Sequence, residues 1–432
     1  MTRPSLIRLG LFQLGAGAIS VLLLGVLNRV LRVEMGADLF LIGVVLGGGH
    51  YLGALAAIPL GYYSDHHPIR GLHRIPYVLI GITVVCLTLA AAPWVAAQLA
   101  VNGGWLWAVA TFLFFLLEGI GTYVAGTAYL SLIADRTPEA ERGRAVATVW
   151  TLLMVGILVG VFYSVFALKE YSFTALGVSF AAAACAVFAL ALIALWRQEK
   201  KETAPPQPSG SLRAAVQMLF ASRQTRYFFA FLVVGLFSTF MQDVILEPFG
   251  GEVLGLSVRA TSLFNAYLMA GVISAMWLGG VRLIPRYGKA TVTAAGAWAQ
   301  VSAFALLALS SLAHSAWLAS AAIVALGFGM GLFTVGGVSL MMDMTQSSRT
   351  GLFVGAWTLA QALARGPAAI AAGGLHDLAR ASGGTPATAY AAVFVVEAAG
   401  LVLAVWLLTK VGVPRFRQEI SQLGTVLAQA MD

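Results

Sequence analysis

Twelve strongly apolar stretches, each long enough to cross a lipid bilayer, alternate with short polar segments along the 432-residue chain. Helices are the predicted form, because backbone N–H and C=O groups in hydrocarbon need partners within their own segment. The short connections make successive helices antiparallel. We therefore predict membrane spans over residues 7–28, 38–62, 75–95, 105–134, 145–168, 173–196, 227–247, 259–281, 290–311, 315–342, 351–373 and 387–409.

A long polar break between Arg197 and Arg226 divides the spans into two groups of six. It contains a lysine pair and a proline-rich run, features that are typical of a linker. We predict a six-helix bundle over residues 1–196, a cytoplasmic linker over 197–226, a second bundle over 227–410 and a cytoplasmic tail over 411–432.

Composition agrees with a multi-pass membrane protein. Hydrophobic residues make up 59% of the chain and charged residues only 10%, against roughly 25% charged residues in soluble domains. With both termini in the cytoplasm, most lysines and arginines fall on the cytoplasmic side, as the positive-inside rule requires. The net charge of +8 thus reflects topology and contact with anionic lipids. Nucleic-acid binding is a poor explanation of this charge, because the basic residues are spread over separate loops.

Charged residues cluster in the loops after the second, fourth and tenth spans. They are Asp65, Arg70, Arg74, Asp135, Arg142, Arg144, Asp343 and Arg349. Two interpretations remain open: these residues solvate turns and set topology, or they form a charge network that closes one side of the bundle. Exposed ion pairs contribute only about 0–1 kcal/mol each, so such a closure would need several acting together.

The loop after the second span carries a pattern of Gly61, Asp65, Gly71 and Arg74. Together with the duplicated six-span halves, this pattern resembles the major facilitator superfamily. The loop after the eighth span, 280–289, is equally basic and glycine-containing but lacks the aspartate. The resemblance implies an all-α membrane fold of twelve transmembrane helices in two pseudo-symmetric six-helix bundles.

Three longer motifs are more specific. They are the segment from Gly10 to Asn28-Arg29, the segment 242–252 (QDVILEPFGGE), and the run from Asp343 through Trp357 and Gln361 to Arg365-Gly366. Together they resemble the bacteriochlorophyll-delivery family, the PucC and LhaA type of light-harvesting assembly proteins. The resemblance implies that the chain binds or delivers (bacterio)chlorophyll in a bacterial photosynthetic inner membrane. It also implies antenna polypeptides or reaction-centre assembly intermediates as partners. A gradient-driven secondary transporter of a conventional small solute is the alternative.

His50 is the candidate ligand for such a pigment. The magnesium of a chlorophyll takes an axial ligand, commonly an imidazole, and His50 lies near the middle of the second span after Gly47, Gly48 and Gly49. We expect the glycines to leave room for a macrocycle. The alternative is that His50 only hydrogen-bonds to a neighbouring helix.

Other polar residues stand inside predicted spans, where a charge costs about 2.5–3.5 kcal/mol to insert. They are Glu118, Asp243, Glu247, Gln361 and Arg365. Arg365 is a candidate partner for Asp243 or Glu118. Proton relay by one of the acidic residues is a less favoured alternative, since handover within one membrane needs no gradient.

The segment from Glu247 to Gly251 should break the seventh span, because Pro248 lacks a donor and glycine relaxes the backbone. Glu247 then either contacts cargo at a gate or caps the helix end, and Phe249 is a candidate cargo contact. We expect Asn28 and Arg29, at the end of the first span, to meet this region.

Sequence features of enzymes are absent. The chain has no phosphate-binding Gly-x-x-x-x-Gly-Lys loop, no thiolate pair and no Ser/His/acid arrangement on a nucleophile elbow. Cys86 and Cys185 both lie inside apolar runs, which indicates neither a disulfide framework nor a metal site. We expect a binding or transport protein rather than an enzyme.

Overall fold

The computed structural model describes residues 3–55, 67–137, 142–199, 223–343 and 350–412. Helices dominate these ranges, and β-pairing within them is limited to one isolated bridge between Ile69 and Leu72. The predicted tail lies outside the described residues, as does most of the predicted linker. The all-α character predicted from the apolar pattern is confirmed.

The helices are numbered α1 to α12 in chain order. They are α1 Ser5–Glu34, α2 Leu39–Leu52, α3 Ile75–Asn102, α4 Gly104–Arg136, α5 Arg142–Ala167, α6 Phe173–Leu195, α7 Arg226–Glu252, α8 Val258–Tyr287, α9 Lys289–Ala313, α10 Ala316–Asp343, α11 Thr350–Ala381 and α12 Pro386–Thr409. In the described part of the chain, ten helices contain segments long and apolar enough to cross a membrane. With the shorter α2 and with α11, they occupy the twelve positions predicted for spans. The chain is a multi-pass membrane protein.

Several helices extend beyond the predicted spans. α1 continues through two π-helical turns to Glu34, which places Arg29 and Arg32 within the helix. α11 continues to Ala381. The predicted break of α7 at Glu247–Gly251 is wrong: a helix runs from Gln242 to Glu252 with Pro248 inside it, and the interruption falls at Met241. Neighbouring helices support a proline in this position, as they commonly do in membranes.

Glycines bring the helices close together. On α4, a Cβ added at Gly119 would lie only 2.8 Å from the Cα of His50 on α2, and one added to Gly53 would lie 2.8 Å from the Cα of Gly119. Between α3 and α4, a Cβ at Gly81 would lie 2.7 Å from the backbone nitrogen of Ala125. Such small-residue contacts let backbones approach where lipid gives no hydrophobic driving force.

The contacts of the chain divide it into two compact units. Unit 1 comprises Met1–Gln207, Asp243–Ala266 and Ala369–Ala389, and unit 2 comprises Pro208–Gln242, Tyr267–Ala368 and Tyr390–Asp432. Unit 1 therefore holds α1 to α6, the part of α7 after the interruption at Met241, the start of α8 and the end of α11. The division into two six-helix domains stays a prediction.

Candidate functional site

His50, which is partly exposed, and Glu118, which is buried, form a pair between α2 and α4. His50 Nδ1 lies 2.5 Å from Glu118 Oε2, and the Glu118 side chain is only 1% exposed. Thr122, one helical turn further along α4, donates its hydroxyl to Glu118 Oε1 at 2.8 Å. Both carboxylate oxygens of Glu118 thus have partners, which is the condition for a carboxylate to be stable in a helix bundle.

The ring of His50 keeps its second nitrogen available. Its only hydrogen bond to the described residues is the one through Nδ1 to Glu118. The ring of Tyr51 stands edge-on at 4.8 Å between centroids, and that of Tyr123 lies at 5.8 Å. A histidine whose one nitrogen is bound by a carboxylate is oriented to offer the other as a metal ligand.

The three glycines before His50 have a different role from the one predicted. A Cβ at Gly49 would lie 3.0 Å from the carbonyl oxygen of Phe112 on α4, and one at Gly48 would lie 3.2 Å from the side chain of Ile370 on α11. A Cβ at Gly47 would meet Ala369. Their faces are therefore covered by protein, so these three glycines do not themselves supply room for a macrocycle. The glycines allow α2 to pack between α4 and the end of α11.

A second polar cluster joins α1, α7 and α8. Glu247 on α7 is 4% exposed, and its Oε1 accepts a hydrogen bond of 2.6 Å from Asn265 Nδ2 on α8. Asn28 on α1 donates to the backbone oxygens of Leu24 and of Asp243, the latter at 3.4 Å. Asn28 therefore meets the region of Glu247, as the sequence predicted.

An ionic cluster continues from this point towards the end of α1. Arg29 is 3% exposed; its Nη1 lies 2.5 Å from Glu34 Oε1 and its Nη2 donates to the Leu256 oxygen at 2.8 Å. Arg32 binds both oxygens of Glu252, at 2.9 and 3.2 Å. The predicted contact of Arg29 with the end of α7 is confirmed. A fork-to-carboxylate geometry of this kind fixes both side chains in place.

The start of α2 and the end of α11 meet at the same end of unit 1. Asp377 accepts a hydrogen bond of 2.7 Å from the backbone N–H of Phe40, and its other oxygen lies 2.8 Å from His376 Nδ1. Burial raises the pKa of Asp377, but the bonds from His376 and Phe40 outweigh it and hold the pKa below its ordinary value. A cluster of ions at this end was not predicted from the sequence.

Two of the predicted loop charges form a pair at the end of unit 1 that lies opposite Asp377. Arg74 Nε lies 2.9 Å from Asp135 Oδ2. Beside it, Glu199 accepts hydrogen bonds from the backbone N–H groups of His73, Arg74 and Ile75 at 2.6, 2.9 and 2.7 Å. These are the groups that a helix leaves without partners at its start, so Glu199 caps α3. These three bonds join residues that are 124 to 126 positions apart in the sequence.

The remaining predicted charges are only partly visible. Arg70 is exposed in a turn with a positive φ of 56°. Asp65 and Arg349 lie outside the described residues, and the side chains of Arg142, Arg144 and Asp343 also lie outside them. A network of these loop charges stays a prediction, of which the pair of Arg74 with Asp135 is the observed part.

Three predicted residues do not join the pair of His50 with Glu118. Arg365 lies in unit 2 with its guanidinium carbon 3.8 Å from the centroid of the Phe240 ring. Glu118 is engaged by His50 and Thr122, and the suggested pairing of Arg365 with Asp243 or Glu118 stays a prediction. Phe249 is fully buried within unit 1, and Gln361 is half-buried on α11.

Sequence reasoning missed Thr122, Asn265 and Glu199. Thr122 stands four residues after Glu118, a spacing that brings two side chains together on one helix face and could have been noticed. Asn265 is an amide inside an apolar span, which indicates a contact between helices. Glu199 lies in a stretch that reads as linker, and no local signal marks it as a cap.

Comparison with known proteins agrees with the resemblance carried by the motifs. The model of a family described as PUCC protein matches residues 26–416. Protein PucC of Cereibacter sphaeroides is 29% identical over 412 residues, covering 92% of this chain and 90% of that protein. A Rhodobacter capsulatus protein named bacteriochlorophyll synthase 44.5 kDa chain is 31% identical over 422 residues, covering 94% of each.

Solved structures show the fold. The crystal structure of the nucleoside transporter NupG aligns with a TM-score of 0.69 at 16% sequence identity, covering 94% of this chain and 98% of that one. Solved structures that resemble the chain are transporters of the major facilitator superfamily, so the predicted fold is confirmed.

Proposed function

Because the chain belongs to the PUCC protein family, we propose that it binds (bacterio)chlorophyll and hands it over during assembly of light-harvesting antenna complexes. One relative is named after bacteriochlorophyll, and a multi-pass bundle suits a lipophilic cargo that stays within the bilayer. The proposal includes no chemical step on the pigment, so the chain acts as a carrier rather than an enzyme.

The single observation that supports the cargo assignment is the pair of the partly exposed His50 with the buried Glu118. When Nδ1 carries the ring proton and donates it to Glu118, Nε2 keeps a lone pair that can coordinate the magnesium of the macrocycle. Thr122 holds the second oxygen of Glu118 and so orients the carboxylate. In this arrangement His50 binds the metal, while Glu118 and Thr122 position the imidazole.

We propose a role in cargo handling for the second polar cluster as well, as a contact between α1 and α7 that is closed in this structure. Asn28 and Glu247 lie where α1 meets α7, and both are buried, as is Phe249. Cargo would reach these residues only after α1 and α7 separate. We propose that this region is a gate, with both termini of the chain in the cytoplasm and antenna polypeptides or reaction-centre assembly intermediates as the receiving partners.

A pigment-binding experiment tests the proposal. The full chain, purified in mild detergent, is titrated with bacteriochlorophyll and its absorption spectrum is recorded. We expect the unmodified chain to bind pigment, His50→Asn to lose most of the binding, and Glu118→Ala to lose about 10- to 100-fold in affinity. His314→Asn is the matched control, because His314 is exposed at the end of α9 in a left-handed conformation that asparagine tolerates.

Two outcomes would contradict these assignments. Equal pigment binding by the His50 and His314 variants would remove His50 as the ligand. A protein that binds no pigment but moves a small solute into vesicles along an imposed gradient would support the secondary transporter instead.

A further inference from the structure

Where α1 meets α7, two buried oxygen atoms of the described residues lack hydrogen-bond donors. They are Oε2 of Glu247 on α7 and Oδ1 of Asn28 on α1, and neither has a partner among the described residues. The two residues are 4% and 1% exposed. Buried polar atoms are nearly always paired, so these two acceptors need a physical explanation.

The contacts around these two oxygens show which hydrogen bonds they can still form. Asn265 already donates to Glu247 Oε1, and the amide nitrogen of Asn28 already donates to backbone oxygens. Gly25, one turn before Asn28, faces the carboxyl so closely that an added Cβ would lie 2.9 Å from Glu247 Cδ. The carboxyl is thus pressed against α1. Asn28 Oδ1 can only accept, and so can Glu247 Oε2 for as long as the carboxyl is ionised.

The charged neighbours do not neutralise Glu247. Arg29 on α1 is the cation that acts on it, but its Nη1 and Nη2 are bound by Glu34 and the Leu256 oxygen. Its Nε, which has no partner among the described residues, faces Gly251 and makes no bond to the carboxyl. On α7 itself, Asp243 is acidic and Glu252 is paired with Arg32. The contact from α8 is the neutral Asn265. An ionised carboxylate would therefore remain buried without a dedicated cation, which is costly.

We propose that Glu247 is a proton-binding site, an assignment that goes beyond the handling of pigment. A proton on Oε2 turns this atom from an acceptor into a donor and removes the unpaired charge. It leaves Oε1 free to accept from Asn265. Loss of the proton places a negative charge between α1, α7 and α8, which favours their separation. The protonation state of Glu247 thus controls whether the contact of α1 with α7 stays closed.

Infrared spectroscopy of the purified full chain tests this assignment without any pigment. At neutral pH the unmodified protein should show a carboxylic-acid C=O band that Glu247→Gln lacks, and the band should weaken as the pH is raised. Glu252→Gln is the matched control: it removes a carboxylate that is ion-paired with Arg32, so the band should remain. An identical band in the unmodified protein and in the Glu247 variant at all pH values would overturn the proposal.

Replacing potassium by sodium at constant ionic strength separates a proton from a metal cation. A proton site keeps its acid band in both salts. Selective loss of the band in sodium would show that the site takes a monovalent cation in place of the proton, and it would overturn the assignment as a proton switch. Neither result bears on pigment binding, so failure here and failure of the proposed function are distinguishable.

Thermal unfolding gives a second readout for the same pair of variants. Glutamine reproduces the neutral acid, because its oxygen can accept from Asn265 and its nitrogen can donate. We expect the melting temperature of the unmodified protein to fall as alkaline pH removes the proton, whereas Glu247→Gln should keep its value over the same range. Parallel pH profiles of the two proteins would contradict the proposal.

Discussion

Replacing Gly119 by alanine tests whether the spacing of α2 and α4 holds the pair of His50 and Glu118. A Cβ at this position would lie 2.7 Å from the carbonyl carbon of His50 and closer still to its oxygen. Ordinary contacts begin near 3.4 Å, so the helices must separate by at least 0.7 Å, the difference between these two distances. The neighbour is backbone and cannot rotate away.

The displacement has two measurable consequences. Overpacking of this kind costs about 1–3 kcal/mol, against a gain of about 0.5–1 kcal/mol from replacing glycine in a helix. The bond of 2.5 Å between His50 and Glu118 would lengthen towards the outer end of the hydrogen-bond range. We therefore expect a lower melting temperature, followed by circular dichroism, and weaker binding of bacteriochlorophyll in the absorption titration.

Gly126 supplies the control within the same helix. A Cβ there would meet nothing within 4 Å, so Gly126→Ala should be neutral or slightly stabilising through helix propensity alone. If the variants at positions 119 and 126 gave the same melting temperature and the same pigment affinity, the close approach of α2 and α4 would have no part in building the site.

Two further predictions concern the ion pairs where α1 and α11 end. Arg32→Gln should destabilise unit 1 by about 1.5–3 kcal/mol, because it removes a charged, two-fold hydrogen bond to Glu252; a combined Arg32→Glu and Glu252→Arg variant that recovered none of the loss in thermal unfolding would contradict a direct pair. Asp377 has a lowered pKa, so its contribution to stability is present above the ordinary aspartate value and is lost as the pH falls below about 4. Asp377→Asn should therefore flatten the decline of the melting temperature with acid, and an unchanged decline would show that another group is responsible.

The ion pairs give a second place, besides the loop charges, where a charge network could close one end of the bundle. Sequence patterns pointed to the loop charges around Arg74 and Asp135, which resemble a known motif. The structure adds a second cluster around Arg29, Arg32 and Glu252 at the other end of unit 1. It escaped detection because α1 was predicted to end before these residues, which would have left them in a solvated loop. A helical continuation by one to two turns buries Arg29 instead.

The candidate site was predicted in part. His50, Glu118, Asn28 and Glu247 were each found from the sequence, because a polar side chain inside an apolar span needs a partner and is therefore conspicuous. Which residue partners which was not found. His50 and Glu118 are 68 positions apart, and their contact depends on how α2 and α4 are rotated about their axes.

The number, type and approximate limits of the helices were determined by the sequence alone, because hydrophobicity is a local property and the bilayer imposes one length on every span. Helix rotation and depth were decided by the tertiary structure, since they depend on packing against neighbours. Gly47 to Gly49 illustrate the difference. The sequence located them beside His50, but only the positions of α4 and α11 show that protein occupies the space next to these glycines. The same holds for the unpaired oxygens of Asn28 and Glu247, which exist only because three helices converge on them.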